Sequence, residues 1–179
     1  AKEGSYFNGW ADSGLATMPA DVVTISPIFV TETYKLQFAN TGDTTYGENN
    51  IITVTYGDIF DGVANPEWAG HVFEGWDNVI PTEIGDLGDD GATVVFTASW
   101  RNEKYTLKFA NTGDTVIADK TVEFGDTIEA TPNPVWAGHV FDKWDVTPPT
   151  SIGDLGNDGA TITYTASWIT ETYTIKFLD

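Results

Sequence analysis

The segment Trp68-Ala69-Gly70-His71-Val72-Phe73-Glu74-Gly75-Trp76 returns 68 residues later as Trp136-Ala137-Gly138-His139-Val140-Phe141-Asp142-Lys143-Trp144. A match of that detail makes the chain a tandem repeat, so any core must be built inside a short period. A second series marks the period: Tyr34-Lys35-Leu36-Gln37-Phe38, Tyr105-Thr106-Leu107-Lys108-Phe109 and Tyr173-Thr174-Ile175-Lys176-Phe177, with starts 71 and 68 residues apart. Four segments follow: 1–33, the second half of a preceding repeat; 34–104, a first repeat; 105–172, a second; and 173–179, the opening strand of another. A unit of about 70 residues buries only roughly 60% of its unfolded surface and needs large apolar side chains. Seven Trp, seven Tyr and ten Phe answer that need, and no Cys is present to add disulfides or thiolate metal sites.

Within each repeat the apolar residues alternate, as half-buried strands require. The openings at 34–38 and 105–109 are followed by Ala-Asn-Thr-Gly-Asp-Thr at 39–44 and 110–115, a hairpin turn. Return strands are expected at Ile52–Tyr56 and Lys120–Phe124, third strands at Val72–Trp76 and Val140–Trp144, and last strands carrying Val94, Phe96, Ala98 and Trp100 or Ile162, Tyr164, Ala166 and Trp168 inward. Residues 1–33 carry the equivalent set Val23, Ile25, Pro27 and Phe29, and Pro27, with no ladder bond to donate, makes that strand an edge or interrupts it. Asp126-Thr127-Ile128-Glu129 has capping-box spacing and predicts a short helical turn before Pro132 and Pro134.

The strand order, the Gly-x-x-Phe-x-x-Trp centre and the closing Ala98-Ser99-Trp100 and Ala166-Ser167-Trp168 resemble the Listeria–Bacteroides repeat, the B-repeat module of internalin surface proteins. Tyr56-Gly57-Asp58 and Phe124-Gly125-Asp126 match as well. The resemblance implies an α+β, mainly β fold of tandem small β-grasp (ubiquitin-like) units. It also implies an extracellular place on a bacterial cell surface or in a secreted protein, with spacer, stalk or adhesion roles and no catalysis. Lys143 stands where the family has Gly, and the acidic loop is long.

The net charge of −19 repels phosphate backbones and excludes nucleic acid as a partner. No run of 18 apolar residues spans a membrane in this sequence. His71 and His139, one per repeat, fall short of a metal or catalytic set and are expected to be structural. Asp86-Leu87-Gly88-Asp89-Asp90-Gly91 and Asp154-Leu155-Gly156-Asn157-Asp158-Gly159 share three positions with a calcium-binding EF-hand loop but lack its third-position and twelfth-position ligands. A turn-rich loop is expected, with a weak calcium site at Asp86, Asp90, Asp154 and Asp158 as the alternative; no other cofactor is indicated. Trp68 and Trp136, after Asn-Pro in the crossover, are the candidate ligand platform, for a glycan or protein of a host or neighbouring cell. The runner-up function is accordingly a carbohydrate- or protein-binding accessory module of a secreted enzyme. The incomplete end repeats also suggest head-to-tail self-association.

Overall fold

A computed structural model describes residues 2–11, 22 and 24–178. The chain divides into two compact units, unit 1 comprising Ala1–Glu67 with Phe73–Ser99 and unit 2 comprising Trp68–Val72 with Trp100–Asp179. Among the described residues ten strands follow in order: β1 (Ser5–Trp10), β2 (Pro27–Thr31), β3 (Thr33–Ala39), β4 (Ile51–Thr55), β5 (His71–Trp76), β6 (Thr93–Asn102), β7 (Lys104–Ala110), β8 (Lys120–Glu123), β9 (His139–Trp144) and β10 (Thr161–Thr170). They form a two-stranded antiparallel β1-β2 sheet and two four-stranded sheets, ordered β4-β3-β6-β5 and β8-β7-β10-β9.

Each four-stranded sheet is mixed. β3 runs antiparallel to β4 and parallel to β6, and β7 runs antiparallel to β8 and parallel to β10. The antiparallel pairs are the expected hairpins, while the parallel pairs need the long crossovers that carry the turns and the acidic loops. Leu36 lies between Ile52 and Val94, and Leu107 between Lys120 and Ile162, so each opening strand is central and its alternation becomes burial. Tyr34, Leu36 and Phe38 are buried with Lys35 exposed between them, and Tyr105 and Leu107 are buried likewise.

The unit 1 core is Tyr34, Leu36, Phe38, Tyr46, Val54, Ile84 and Phe96, and the unit 2 core is Tyr105, Leu107, Val122, Trp144, Ile152, Tyr164 and Ala166. Phe38 stacks on Phe96 at 5.7 Å and meets Trp76 edge-on at 5.3 Å. Phe109 repeats the pattern with Tyr164 and Trp144, both at 5.8 Å. Such pairs contribute about 0.5–1.5 kcal/mol beyond the area they bury.

The α+β, β-grasp expectation is corrected: the fold is all-β, and no helix occurs among the described residues. The capping-box residues show why. Instead of capping a helix, the Asp126 carboxylate turns back to accept the Glu123 N–H at 2.8 Å. Ile128 N–H then donates to the Thr150 carbonyl, and Thr127 bridges Ser151. Asp58 does the same with Thr55 N–H in unit 1, where Ile59 bridges Glu83. With backbone donors spent on neighbouring chain and Pro132 and Pro134 ahead, no helical ladder starts.

These bridges also draw in a core residue that alternation did not mark. Ile84 exchanges backbone bonds with Gly57 and Asp58, and Ile152 with Gly125 and Asp126, burying both isoleucines. In the first segment Pro27 begins β2 opposite Trp10, an edge position as expected. Val23 lies outside the described residues; Ile25 and Phe29 are exposed rather than covered.

Candidate functional site

The repeated segment forms a turn before it forms a strand. His71 N–H donates to the Trp68 carbonyl at 3.0 Å, and Gly70, third in the turn, has φ +75°. His139 and Trp136 close the same turn at 3.1 Å, with Gly138 at φ +76°. A positive φ at that position is what a type II turn requires and what glycine supplies without steric cost. The turn sets its first and fourth side chains side by side. The Trp68 and His71 rings stack at 3.7 Å and 12°, and Trp136 and His139 at 3.9 Å and 13°. Each imidazole Nδ1 also lies within hydrogen-bond reach of a turn carbonyl, Ala69 at 2.9 Å and Ala137 at 3.1 Å. The two histidines are therefore held as parts of the turn.

Trp68 and Trp136, the candidate platform, each have one face under an imidazole and an edge contact to Trp100 or Trp168 at 5.7 and 5.6 Å. Trp68 keeps 37% of its surface exposed. Behind Trp136 a side chain at Gly113 would collide with the indole, so that glycine is part of its seat. The strand ends are tied by a further indole, since Trp168 Nε1–H donates to the Asn111 carbonyl at 2.7 Å.

In unit 2 the Phe124 ring packs on the turn as well. Its centroid is 5.1 Å from that of His71, and an added Cβ at Gly70 would overlap the phenyl carbons. His71 thus lies between Trp68 and Phe124. Gly70 lies in the turn and Phe124 just past β8; their meeting joins residues 54 positions apart, and no local pattern signals it.

The acidic loops place their carboxylates on backbone donors. Asp86 and Asp154 each accept the N–H two residues on, from Gly88 and Gly156, both at 2.9 Å. Asp90 accepts both the N–H and the hydroxyl of Thr33, at 2.8 and 3.1 Å. Asp158 accepts Lys104 N–H at 2.9 Å and is gripped by the Arg101 guanidinium at 3.0 and 2.7 Å. That grip, with the Lys104 bond, holds the Asp158 carboxyl down to about 2. Asp90 and Asp158 thus pin their loops to strand ends, Asp86 and Asp154 brace turns within the loops, and no cluster of three or more metal-ligating side chains occurs among the described residues. Glu103 and Glu32 accept the hydroxyls of Tyr105 and Tyr34, both at 2.6 Å. Burial first, and then these carboxylates, push both phenols up to about 12.

Fold and site together define a tandem all-β repeat protein in which aromatic turns and carboxylate–backbone ties recur at equivalent positions. The Listeria-Bacteroides repeat domain model matches residues 34–79 and 105–166, and the chain belongs to that family. It is similar to two proteins of Evansella cellulosilytica. One, described as a "Putative Gly-rich membrane protein", is 25% identical over a 200-residue alignment covering 98% of this chain and 22% of that protein. The other, described as a "Putative membrane protein", is 27% identical over 154 residues, covering 80% of this chain and 23% of that protein. The chain therefore spans less than a quarter of the length of these relatives.

Proposed function

We propose that this chain is a non-catalytic spacer or stalk segment of a bacterial cell-surface or secreted protein, holding other parts of that protein out from the cell for adhesion. The observation that carries the reading is the near-identity of the two aromatic turns, down to the Trp–His stacking distances of 3.7 and 3.9 Å. A site for one substrate gains nothing from being built twice in this way, whereas modules that fold on local contacts gain reach with every copy. Two features add support. The carboxylates singled out as site candidates are engaged with backbone donors, Asp90 and Asp158 at strand ends and Asp86 and Asp154 within their own loops. The relatives, described as membrane proteins, are more than four times longer than the part matched here, which suits one segment of a larger surface protein.

The partly exposed Trp68 favours a second reading, a carbohydrate-binding accessory module. One pair of measurements separates the two. Arrays of two, four and six repeats should lengthen in proportion by solution scattering, and a panel of cell-wall and host polysaccharides should give no retention. Retention that disappears in Trp136→Ala would replace the spacer reading with the binding-module one.

A further inference from the structure

In each unit one turn glycine lies beneath an aromatic ring. In unit 1, Gly4 (φ +69°) is buried, and an added Cβ would strike the Tyr56 ring. In unit 2, Gly70 (φ +75°) is buried under Phe124. Tyr56 and Phe124 are repeat equivalents, each standing just before Gly-Asp.

The backbone around each pair follows one course. Glu32 N–H donates to the Gly4 carbonyl and the Glu32 carbonyl accepts Tyr56 N–H, both at 3.0 Å. Glu103 N–H donates to the Gly70 carbonyl and the Glu103 carbonyl accepts Phe124 N–H, both at 2.9 Å. One glutamate thus links each glycine to the ring that covers it.

A third glycine has the same preparation without a ring. Gly138 has φ +76°, and its carbonyl accepts Glu171 N–H at 3.0 Å. Yet Gly138 is exposed, and an added Cβ would meet nothing within 4 Å. Val140 beside it is exposed where Val72 is half-buried. Just beyond, Tyr173, Ile175 and Phe177 are 77%, 77% and 90% exposed, although Tyr34, Leu36 and Phe38 at the same repeat positions are at most 1% exposed.

We propose that the face formed by Gly138, His139 and Val140 is the seat for a further repeat of this kind, continuing from Tyr173, and that the repeat's aromatic residue at the Tyr56/Phe124 position closes over Gly138. The same continuation gives Tyr173, Ile175 and Phe177 a sheet to enter. Glycine is required at the seat for two separable reasons, the positive φ and the ring that lies where a Cβ would be. The inference rests on reading the chain as a stretch of a repeat array.

Because Gly70 and Gly138 share nearly the same φ, the backbone cost of alanine is matched, and only the ring distinguishes them. In the 179-residue chain Gly70→Ala should therefore lower the folded-to-unfolded ratio of unit 2 by about tenfold to a hundredfold more than Gly138→Ala, the range for overpacking a tight contact. In a Phe124→Ala background that excess should vanish.

The decisive chain is the full sequence extended after Asp179 by a copy of residues 112–172. There Gly138→Ala should become as damaging as Gly70→Ala, and alanine at the appended copy of Phe124 should restore tolerance. If a variant fails to fold, the unsubstituted extended chain still answers: the Gly138 α-proton should move upfield by ring current, and its amide should gain exchange protection. Equal cost of Gly138→Ala in the short and extended chains, or an unmoved Gly138 resonance, overturns the seat. Polysaccharide retention through Trp136 would instead remove the spacer reading, so the two failures are distinguishable.

Discussion

Arg101 holds Asp158 through both of its terminal nitrogens, at 3.0 and 2.7 Å, while the same carboxylate accepts the Lys104 N–H at the start of β7. One exposed aspartate thereby fastens the second acidic loop to a strand end. Its carboxyl is held at about 2, against an ordinary 3.8. A lowered folded value means that the contribution is present above 3.8 and lost as pH falls towards 2. Acid titration of Arg101→Ala, followed by tryptophan fluorescence, should show unit 2 unfolding at higher pH than in the parent chain. Asp158→Asn should flatten the dependence across that window. Identical acid midpoints would count against the tie.

The two buried phenols act at the other end of the scale. Tyr34 and Tyr105 are pushed up to about 12 from an ordinary 10, so the unfolded chain releases those protons before the folded one does. The stabilisation is complete below pH 10 and is lost as pH rises through about 12. Absorbance titration at the phenolate band should show a late-ionising class, reduced by Tyr105→Phe. A single class centred at the ordinary value would contradict the burial of these rings.

Leu36 and Leu107 are fully buried at the centre of separate sheets. Truncating either to alanine should cost about 2–5 kcal/mol, a large share of what a module this small possesses. Leu107→Ala should therefore abolish amide protection in β7 and β10 while β3 and β6 keep theirs. The reverse is expected for Leu36→Ala.

Asn111 has φ +57°, and its side-chain amide donates to the Ala166 carbonyl at 2.7 Å. Asn111→Gly keeps the backbone conformation and loses the bond, whereas Asn111→Ala loses both. Denaturant melts should rank the alanine variant below the glycine variant by about 1–2 kcal/mol, the cost of a left-handed conformation with a Cβ.

Calcium offers a direct check on the acidic loops. With Asp90 and Asp158 already bonded to Thr33 and Lys104, a divalent ion must compete with those ties. A melting scan with and without millimolar calcium should superimpose. A rise in the midpoint that is lost in Asp86→Asn or Asp154→Asn would reinstate a weak site.

Much of the fold was legible from local pattern. Alternation in Tyr34–Phe38 and Tyr105–Phe109 located the central strands, because a half-buried strand repeats every two residues. Pro27 marked an edge because it has no N–H to give. The capping-box spacing at Asp126 misled for an equally physical reason. Such a carboxylate can serve a helix ahead of it or a turn behind it, and the isolated bridge from Thr127 to Ser151 decided for the turn.

The aromatic segment divides along the same line. Its sequence determined the turn, since Gly70 and Gly138 alone in Trp-Ala-Gly-His take a positive φ freely, and the turn brings Trp beside His. Only tertiary structure decided that Phe124 covers Gly70, and that among the described residues an added Cβ at Gly138 would meet nothing within 4 Å. Local geometry follows from a residue and its near neighbours, whereas a ring resting on a glycine depends on where the backbone carries each of them, and here that course runs through Glu103.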